Sequence, residues 1–291
     1  MKAGAVNPRN PPRAQPFPCD EASRTVAPRP ALRRRSLPAR RLLADRPRRG
    51  PDPPGGTARE EGIAYGPLPR NRLDLYTPPG LAETAPLLVF VPGGGWRSEE
   101  RADYRFAAYP LAGLGCRVAV IDYRLWPEVR FPAFIEDAAL AVRFLAAREP
   151  RRRLVLMGHS AGAFNAACAA LDPRWGVQGQ VGGFVGLAGP YDFGADEANP
   201  PAIFAGTPHV VAAPAPLGPA TPPMLLLHGA ADTTVRPQHS TDLAARARAA
   251  GVPVRHVAYP GMSHLGIAAP LAAPIRALGL EGGDVLGEVR A

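Results

Sequence analysis

Residues 158–162 read Gly-His-Ser-Ala-Gly, and no other feature constrains the fold of this chain as tightly. They follow an apolar run at 153–157 that reads as a buried strand. They precede a small-residue segment at 161–171 that reads as a helix. A serine at the centre of so sharp a strand-to-helix turn takes up a strained backbone conformation, so the residues two before and two after it must be small. Glycine fills both places, Gly158 and Gly162. The turn lifts the Ser160 hydroxyl out of the sheet, and the helix N-terminus adds positive potential there. Ser160 is the candidate nucleophile.

A serine hydroxyl needs a base at neutral pH, usually histidine, and around such a turn the partners follow in the order serine, acid, histidine. Six histidines are available. His159 lies inside the turn and is expected to point away, and His209 falls in an irregular stretch. His228 ends a strand and is expected to pack or hydrogen-bond near the site. His239 and His256 fall within a helix and a strand. His264 follows the strand 254–259 and the turn Pro260-Gly261-Met262-Ser263, where a loop at the sheet's carboxyl end should lie, and is the candidate base. Asp232, in His228-Gly229-Ala230-Ala231-Asp232, precedes it by one helix and one strand and is the candidate acid. Asp192, in Gly189-Pro190-Tyr191-Asp192-Phe193, is the fallback.

Acyl transfer also needs donors for a tetrahedral oxyanion. One is expected from the Ala161 N–H. Others are expected from Gly93 and Gly94 in Val91-Pro92-Gly93-Gly94-Gly95-Trp96, a glycine loop directly after an early strand. Trp96, Trp126, Phe193 and Phe204 are candidate linings of a substrate pocket.

Strands are expected at 73–76, 87–91, 117–121, 153–157, 184–187, 224–228 and 254–259. Helices are expected at 134–147, 161–171 and 238–250, and from 265 onward. That alternation predicts an α/β fold with a mostly parallel central sheet and helices on both faces. The proline-rich stretch 189–222 reads as a long loop or small lid over the sheet's carboxyl end.

The formal net charge of +9 does not describe the body of the chain. Residues 1–59 hold fourteen Lys and Arg against four Asp and Glu, a balance of +10, together with twelve prolines. Residues 60–291 hold twenty against twenty-one, a balance of −1. The first segment reads as a disordered Arg/Pro-rich tail, and 60–291 reads as the catalytic domain. Nucleic acid is expected to have a claim on the tail only. The three cysteines, Cys19, Cys116 and Cys168, show no CxxC spacing, so neither a disulfide framework nor a structural metal site is expected. No run approaches the ~18 apolar residues of a membrane span. No h-region of ~7–15 apolar residues is visible, which makes a cytoplasmic location the expectation.

Taken together, the motifs resemble the α/β-hydrolases, in the hormone-sensitive-lipase-like and feruloyl-esterase-like carboxylesterase group to which bacterial arylformamidases are related. The resemblance covers roughly residues 62–275. It is carried by Gly93-Gly94-Gly95-Trp96, Asp122-Tyr123-Arg124-Leu125-Trp126-Pro127-Glu128, Phe131-Pro132-Ala133 with Glu136-Asp137, the Ser160 turn, the Gly229-to-Asp232 turn and His264. It implies a serine esterase acting on small to medium carboxylic esters through an acyl-enzyme, with no metal or organic cofactor. The same motifs admit an arylformamidase-like or peptidase-like amide hydrolase. A catalytically inactive binding protein on this fold is the alternative from another class. In the group, the segment 122–128 supports the oxyanion loop through hydrogen bonds and charge pairs. The group's oxyanion motif opens with histidine before the glycines, where this chain has Pro92.

Overall fold

The run Leu87–Val91 carries no polar side chain, so it is stable only where both of its faces are covered. In the structure, a computed structural model that describes residues 54–192, 202–205, 217–272 and 283–290, it is a central strand buried along its whole length. The strands are β1 (Ala58–Ala64), β2 (Arg72–Thr77), β3 (Leu87–Val91), β4 (Arg117–Ile121), β5 (Leu154–His159), β6 (Val181–Leu187), β7 (Met224–Gly229) and β8 (Val254–Tyr259). They form one eight-stranded sheet in the order β1-β2-β4-β3-β5-β6-β7-β8. The pairs β1/β2 and β2/β4 are antiparallel. All pairs from β4 to β8 are parallel, as the strand–helix alternation predicts. The helices are α1 (Arg105–Ala112), α2 (Ala133–Arg148), α3 (Ala161–Leu171), α4 (Gln238–Ala249) and α5 (Val285–Arg290).

The two-residue period of a strand sends alternate side chains to opposite faces. Leu87, Val89 and Val91 pack into the layer that holds Phe134, Val142 and Phe164 of α2 and α3. Leu88 and Phe90 pack into the layer that holds Ala107, Leu111 and Val285 of α1 and α5. Each large side chain buried this way contributes about 1.5–3 kcal/mol. Helix α3, Ala-Gly-Ala-Phe-Asn-Ala-Ala-Cys-Ala-Ala-Leu, is buried at every position, so its small residues let it lie directly against the sheet. Cys116 and Cys168 are buried free thiols.

Several expectations need adjusting. Strand β5 runs two residues further than expected, and β6 begins three residues earlier. β1 takes in Ala58 and Arg59, short of the boundary expected at 59/60. Residues 265–272 do not form the expected α-helix; they contain a 3-10 turn at Ala269–Leu271. The described residues fall in the compact unit Arg49–Ala291, and most of the expected tail lies outside them. So do 193–201 and 206–216 of the expected loop or lid, with Phe193 and His209. Among the described residues, no helix is long and apolar enough to cross a membrane.

The packing of α3 on β3 makes Gly162 a strict requirement. A Cβ there would lie 2.0 Å from the Val91 carbonyl oxygen and 2.2 Å from that of Pro92. Both are backbone atoms and cannot rotate aside. Gly162→Ala is expected to destabilise the fold by roughly 3 kcal/mol. Gly179→Ala, where nothing lies within 4 Å of the added carbon, should be close to neutral. Urea unfolding of the two variants checks the contrast, and equal midpoints would refute it.

Candidate active site

β5 ends at His159 and α3 starts at Ala161, which leaves Ser160 alone in the turn. Its φ is 54° and ψ −124°, a conformation L-residues avoid. Such a residue costs on the order of 1–3 kcal/mol, and the surroundings must hold it. They do so from both sides. The Ser160 N–H donates to Leu187 O of β6 at 2.9 Å. A Cβ on Gly158 would lie 2.3 Å from Gly162 O, so only glycine lets the turn close.

The fold brings the three expected side chains together. Ser160 Oγ and His264 Nε2 are 2.9 Å apart, and His264 Nδ1 is 2.7 Å from Asp232 Oδ2. The loops carrying Asp232 and His264 are fastened to each other through backbone. Ala230 N–H donates to Tyr259 O at 2.8 Å, and Ala231 N–H to Met262 O at 3.1 Å. Gly229 permits this approach, since a Cβ there would meet Met262 O at 2.1 Å. The fallback acid Asp192 is placed elsewhere, with its backbone N–H directed at His239 Nδ1, 3.2 Å away.

Asp232 is held as an anion. Burial acts to raise its carboxyl, but the Val235 N–H, the His264 ring and the Thr234 N–H together outweigh it and hold it below the usual carboxylate range. Oδ1 accepts from Thr234 N–H at 2.8 Å and Val235 N–H at 2.9 Å. Oδ2 is shared between His264 and His228 Nε2, the latter at 3.2 Å. His228 also lies 3.0 Å from Val235 O. Two acceptors at Nε2 put the His228 proton there, and Nδ1 then accepts from the Ser240 hydroxyl at 2.7 Å. Burial lowers the His228 pKa, so it serves Asp232 as a neutral donor. His228 thus hydrogen-bonds beside the site, as expected from its strand end.

The glycine loop departs from expectation in one respect. The Gly93 N–H donates to the Tyr104 hydroxyl at 3.0 Å, so that donor is already spent. Gly94 and Gly95, with φ of 81° and 58°, hold the loop amides that remain, and Ala161 N–H opens α3 beside them. The Tyr123 hydroxyl shares its proton between Gly93 O at 2.7 Å and Pro92 O at 3.0 Å. Charge pairs hold the segment that carries Tyr123. Arg101 binds buried Asp122 and Asp74, and Arg124 Nε donates to buried Asp137 at 2.9 Å. This is the supporting role that the resemblance implied for residues 122–128.

Trp96 and Phe204 are buried in an aromatic cluster. Their rings are 5.1 Å apart, each packs on Phe134 and Phe164, and the Trp96 indole N–H donates to Asn165 Oδ1 at 2.9 Å. Trp126 is half-buried, with the Arg97 guanidinium 3.9 Å above its ring.

His159 was expected to point away, yet its ring lies 5.1 Å from that of His264. Nε2 is 3.2 Å from His264 O, and Nδ1 is 3.2 Å from the Tyr104 hydroxyl. Nothing in the local sequence marks either contact.

The chain is similar to known proteins to differing extents. Residues 73–186 match the family described as BD-FAE, and residues 133–277 match the prolyl oligopeptidase family. An isoprenylcysteine alpha-carbonyl methylesterase of Arabidopsis thaliana is 30% identical over 237 residues, covering 69% of this chain and 55% of the relative. Esterase LipC of Mycobacterium tuberculosis is 29% identical over 236 residues, covering 69% and 58%. The chain therefore spans little more than half the length of these relatives. Among solved structures, the apo form of Thermogutta terrifontis esterase 2 superposes with a TM-score of 0.61 at 25% identity, covering 74% of this chain and 86% of that one.

Burial, with His264 adding to it, pushes the His159 pKa from 6.5 down to about 4. The folded protein therefore refuses a proton that the unfolded chain takes up below pH 6.5. Stability should be at full strength above pH 6.5 and fall as the pH drops towards 4. The share from His159 is roughly 2–3 kcal/mol at pH 4.5. Buried His228 and His239 act in the same direction. His159→Gln, which has no proton to gain, should lose less stability than the parent protein between pH 7 and pH 4.5. Denaturant titrations at the two pH values measure this, and an equal loss would rule out the assignment to His159.

Proposed function

We propose, starting from the fact that this chain belongs to the α/β-hydrolase carboxylesterases of the hormone-sensitive-lipase-like group, that it hydrolyses carboxylic esters through an acyl-enzyme on Ser160. The observation that carries the reading is the hydrogen-bond chain from Ser160 through His264 to Asp232, at 2.9 and 2.7 Å, with the serine raised on a strained turn. In this reading Ser160 Oγ attacks the acyl carbon while His264 Nε2 takes its proton. Asp232 keeps the other His264 proton on Nδ1 and stabilises the imidazolium. The N–H groups of Ala161, Gly94 and Gly95 receive the oxyanion. His264 then returns the proton to the leaving alcohol. Water, deprotonated by the same nitrogen, attacks the acyl-enzyme, and Ser160 recovers its proton as the acid departs.

The match of residues 133–277 to the prolyl oligopeptidase family supports a second reading, hydrolysis of an activated amide by the same three side chains. Ester and amide differ in the leaving group that His264 must protonate. Parallel assays on short-chain p-nitrophenyl esters, N-formylkynurenine and a chromogenic peptide amide separate the two. The expected result is fastest turnover of the esters. Ser160→Ala should lower kcat by about ten-thousand-fold or more and abolish fluorophosphonate labelling. Faster turnover of the formamide or peptide would install the second reading. A folded protein that neither reacts with fluorophosphonate nor turns over any of these substrates would overturn both.

A further inference from the structure

The hydrolytic sequence leaves one residue of the turn without a task. His159 is 4% exposed and sits beside the nucleophile, yet it touches no reacting atom. Its two ring nitrogens face two different loops. Nε2 lies 3.2 Å from the carbonyl oxygen of His264, on the loop that carries the base. Nδ1 lies 3.2 Å from the Tyr104 hydroxyl. That hydroxyl accepts the Gly93 N–H at 3.0 Å and lies 2.7 Å from Glu99 Oε2. An unbroken chain of polar contacts thus runs from Gly93, at the start of the oxyanion loop, through Tyr104 and His159 to His264.

We propose that Tyr104 and His159 are positioning residues that brace the oxyanion loop against the catalytic-histidine loop. The inference rests on the hydrolase reading, because it gives the brace a purpose. In acyl transfer the oxyanion donors and the base must stand at a fixed separation about one acyl carbon. Donors and base come from loops after β3 and β8, strands at different places in the sheet. Sheet pairing alone does not join those two loops; this chain of side chains does.

The proton count limits His159 to one hydrogen bond at a time. Gly93 brings its own proton to Tyr104. The remaining contacts, Tyr104 with Glu99, Tyr104 with His159, and His159 with His264, require three protons. The phenol and a neutral imidazole bring two. Burial keeps the phenol protonated and the imidazole neutral. The bond to a carboxylate is the strongest acceptor on offer to the phenol. With the Tyr104 proton directed there, the His159 proton either grips Tyr104 through Nδ1 or grips the His264 carbonyl through Nε2. Either way His159 holds one loop by a hydrogen bond and meets the other through a polar contact of 3.2 Å.

The test is steady-state ester hydrolysis by Tyr104→Phe, His159→Phe, the double variant and His159→Gln, with a thermal melt for each. Each Phe variant should lose about ten-fold in kcat, with KM within two-fold of the parent, because the loops that serve the transition state shift while the binding surface does not. The double variant should be no slower than the slower single variant, since both changes break one chain. His159→Gln restores a donor near the Nε2 position and should recover part of the loss. Kcat within two-fold of the parent for Tyr104→Phe, in folded protein, would overturn the brace. So would losses that multiply in the double variant. If His159→Phe does not fold, the Tyr104→Phe result still decides. Failure of the underlying hydrolase reading shows separately, as absence of Ser160-dependent turnover in the parent protein.

Discussion

The site depends on how closely α3 can approach the β3 loop. Gly162 sits against the Val91 and Pro92 carbonyls at a distance that leaves no room for a side-chain carbon. That approach closes the turn around Ser160 and holds it at a positive φ. It also sets the Ala161 amide against the glycine loop. A single missing Cβ therefore underlies both the strained turn at Ser160 and the close approach of α3 to the glycine loop. The strain at Ser160 is stored locally, and the fully buried helix behind it supplies the packing that sustains it.

The acid and base follow the same logic at the other side of the site. Gly229 lets the β7 and β8 loops meet through backbone hydrogen bonds, so Asp232 and His264 are fixed before their side chains interact. Four donors then surround the Asp232 carboxylate, two from backbone and two from imidazoles. A carboxylate so satisfied stays ionised despite burial, and it can hold His264 in one tautomer without taking its proton. Neutral His228 contributes a donor at no cost in buried charge.

Much of this was legible in the sequence, because the signals were local. The apolar runs of β3 and β4 and the small residues of α3 have boundaries that follow from composition alone. Ser160, Asp232 and His264 each follow a strand end, where chain order and loop position identify them. What was not legible was tertiary. β1 pairs only with β2, and its Arg59-Glu60-Glu61 is solvent-facing edge, so no apolar alternation marks it. α1 is short and contains Pro110, which hides its helical period. The choice among Gly93, Gly94 and Gly95 as donors depends on where each amide points, and in Gly93 it points at a tyrosine eleven residues on. His159 does not face Ser160, but the neighbour it does face is contributed by a loop a hundred residues away.

Pro92 stands where the related esterases begin their oxyanion motif with histidine, and the structure shows what stabilises the loop in this chain. The grip is on backbone atoms. Tyr123 holds the carbonyls of Pro92 and Gly93, and Tyr104 holds the Gly93 amide. Both phenols are buried, which raises their pKa values and keeps each hydroxyl proton in place. A proline loses nothing under this arrangement, because the loop asks only for its carbonyl, and its ring limits the chain on the approach to the glycines. The loop's geometry is thereby transferred from a side chain within the motif to two tyrosines outside it. One is anchored by the Asp122 and Asp137 charge pairs, and the other is joined through His159 to the base. In the proposed brace the glycine loop at Gly93 and the loop of His264 are joined through Tyr104 and His159, so the loop's anchor and the candidate base share one set of contacts.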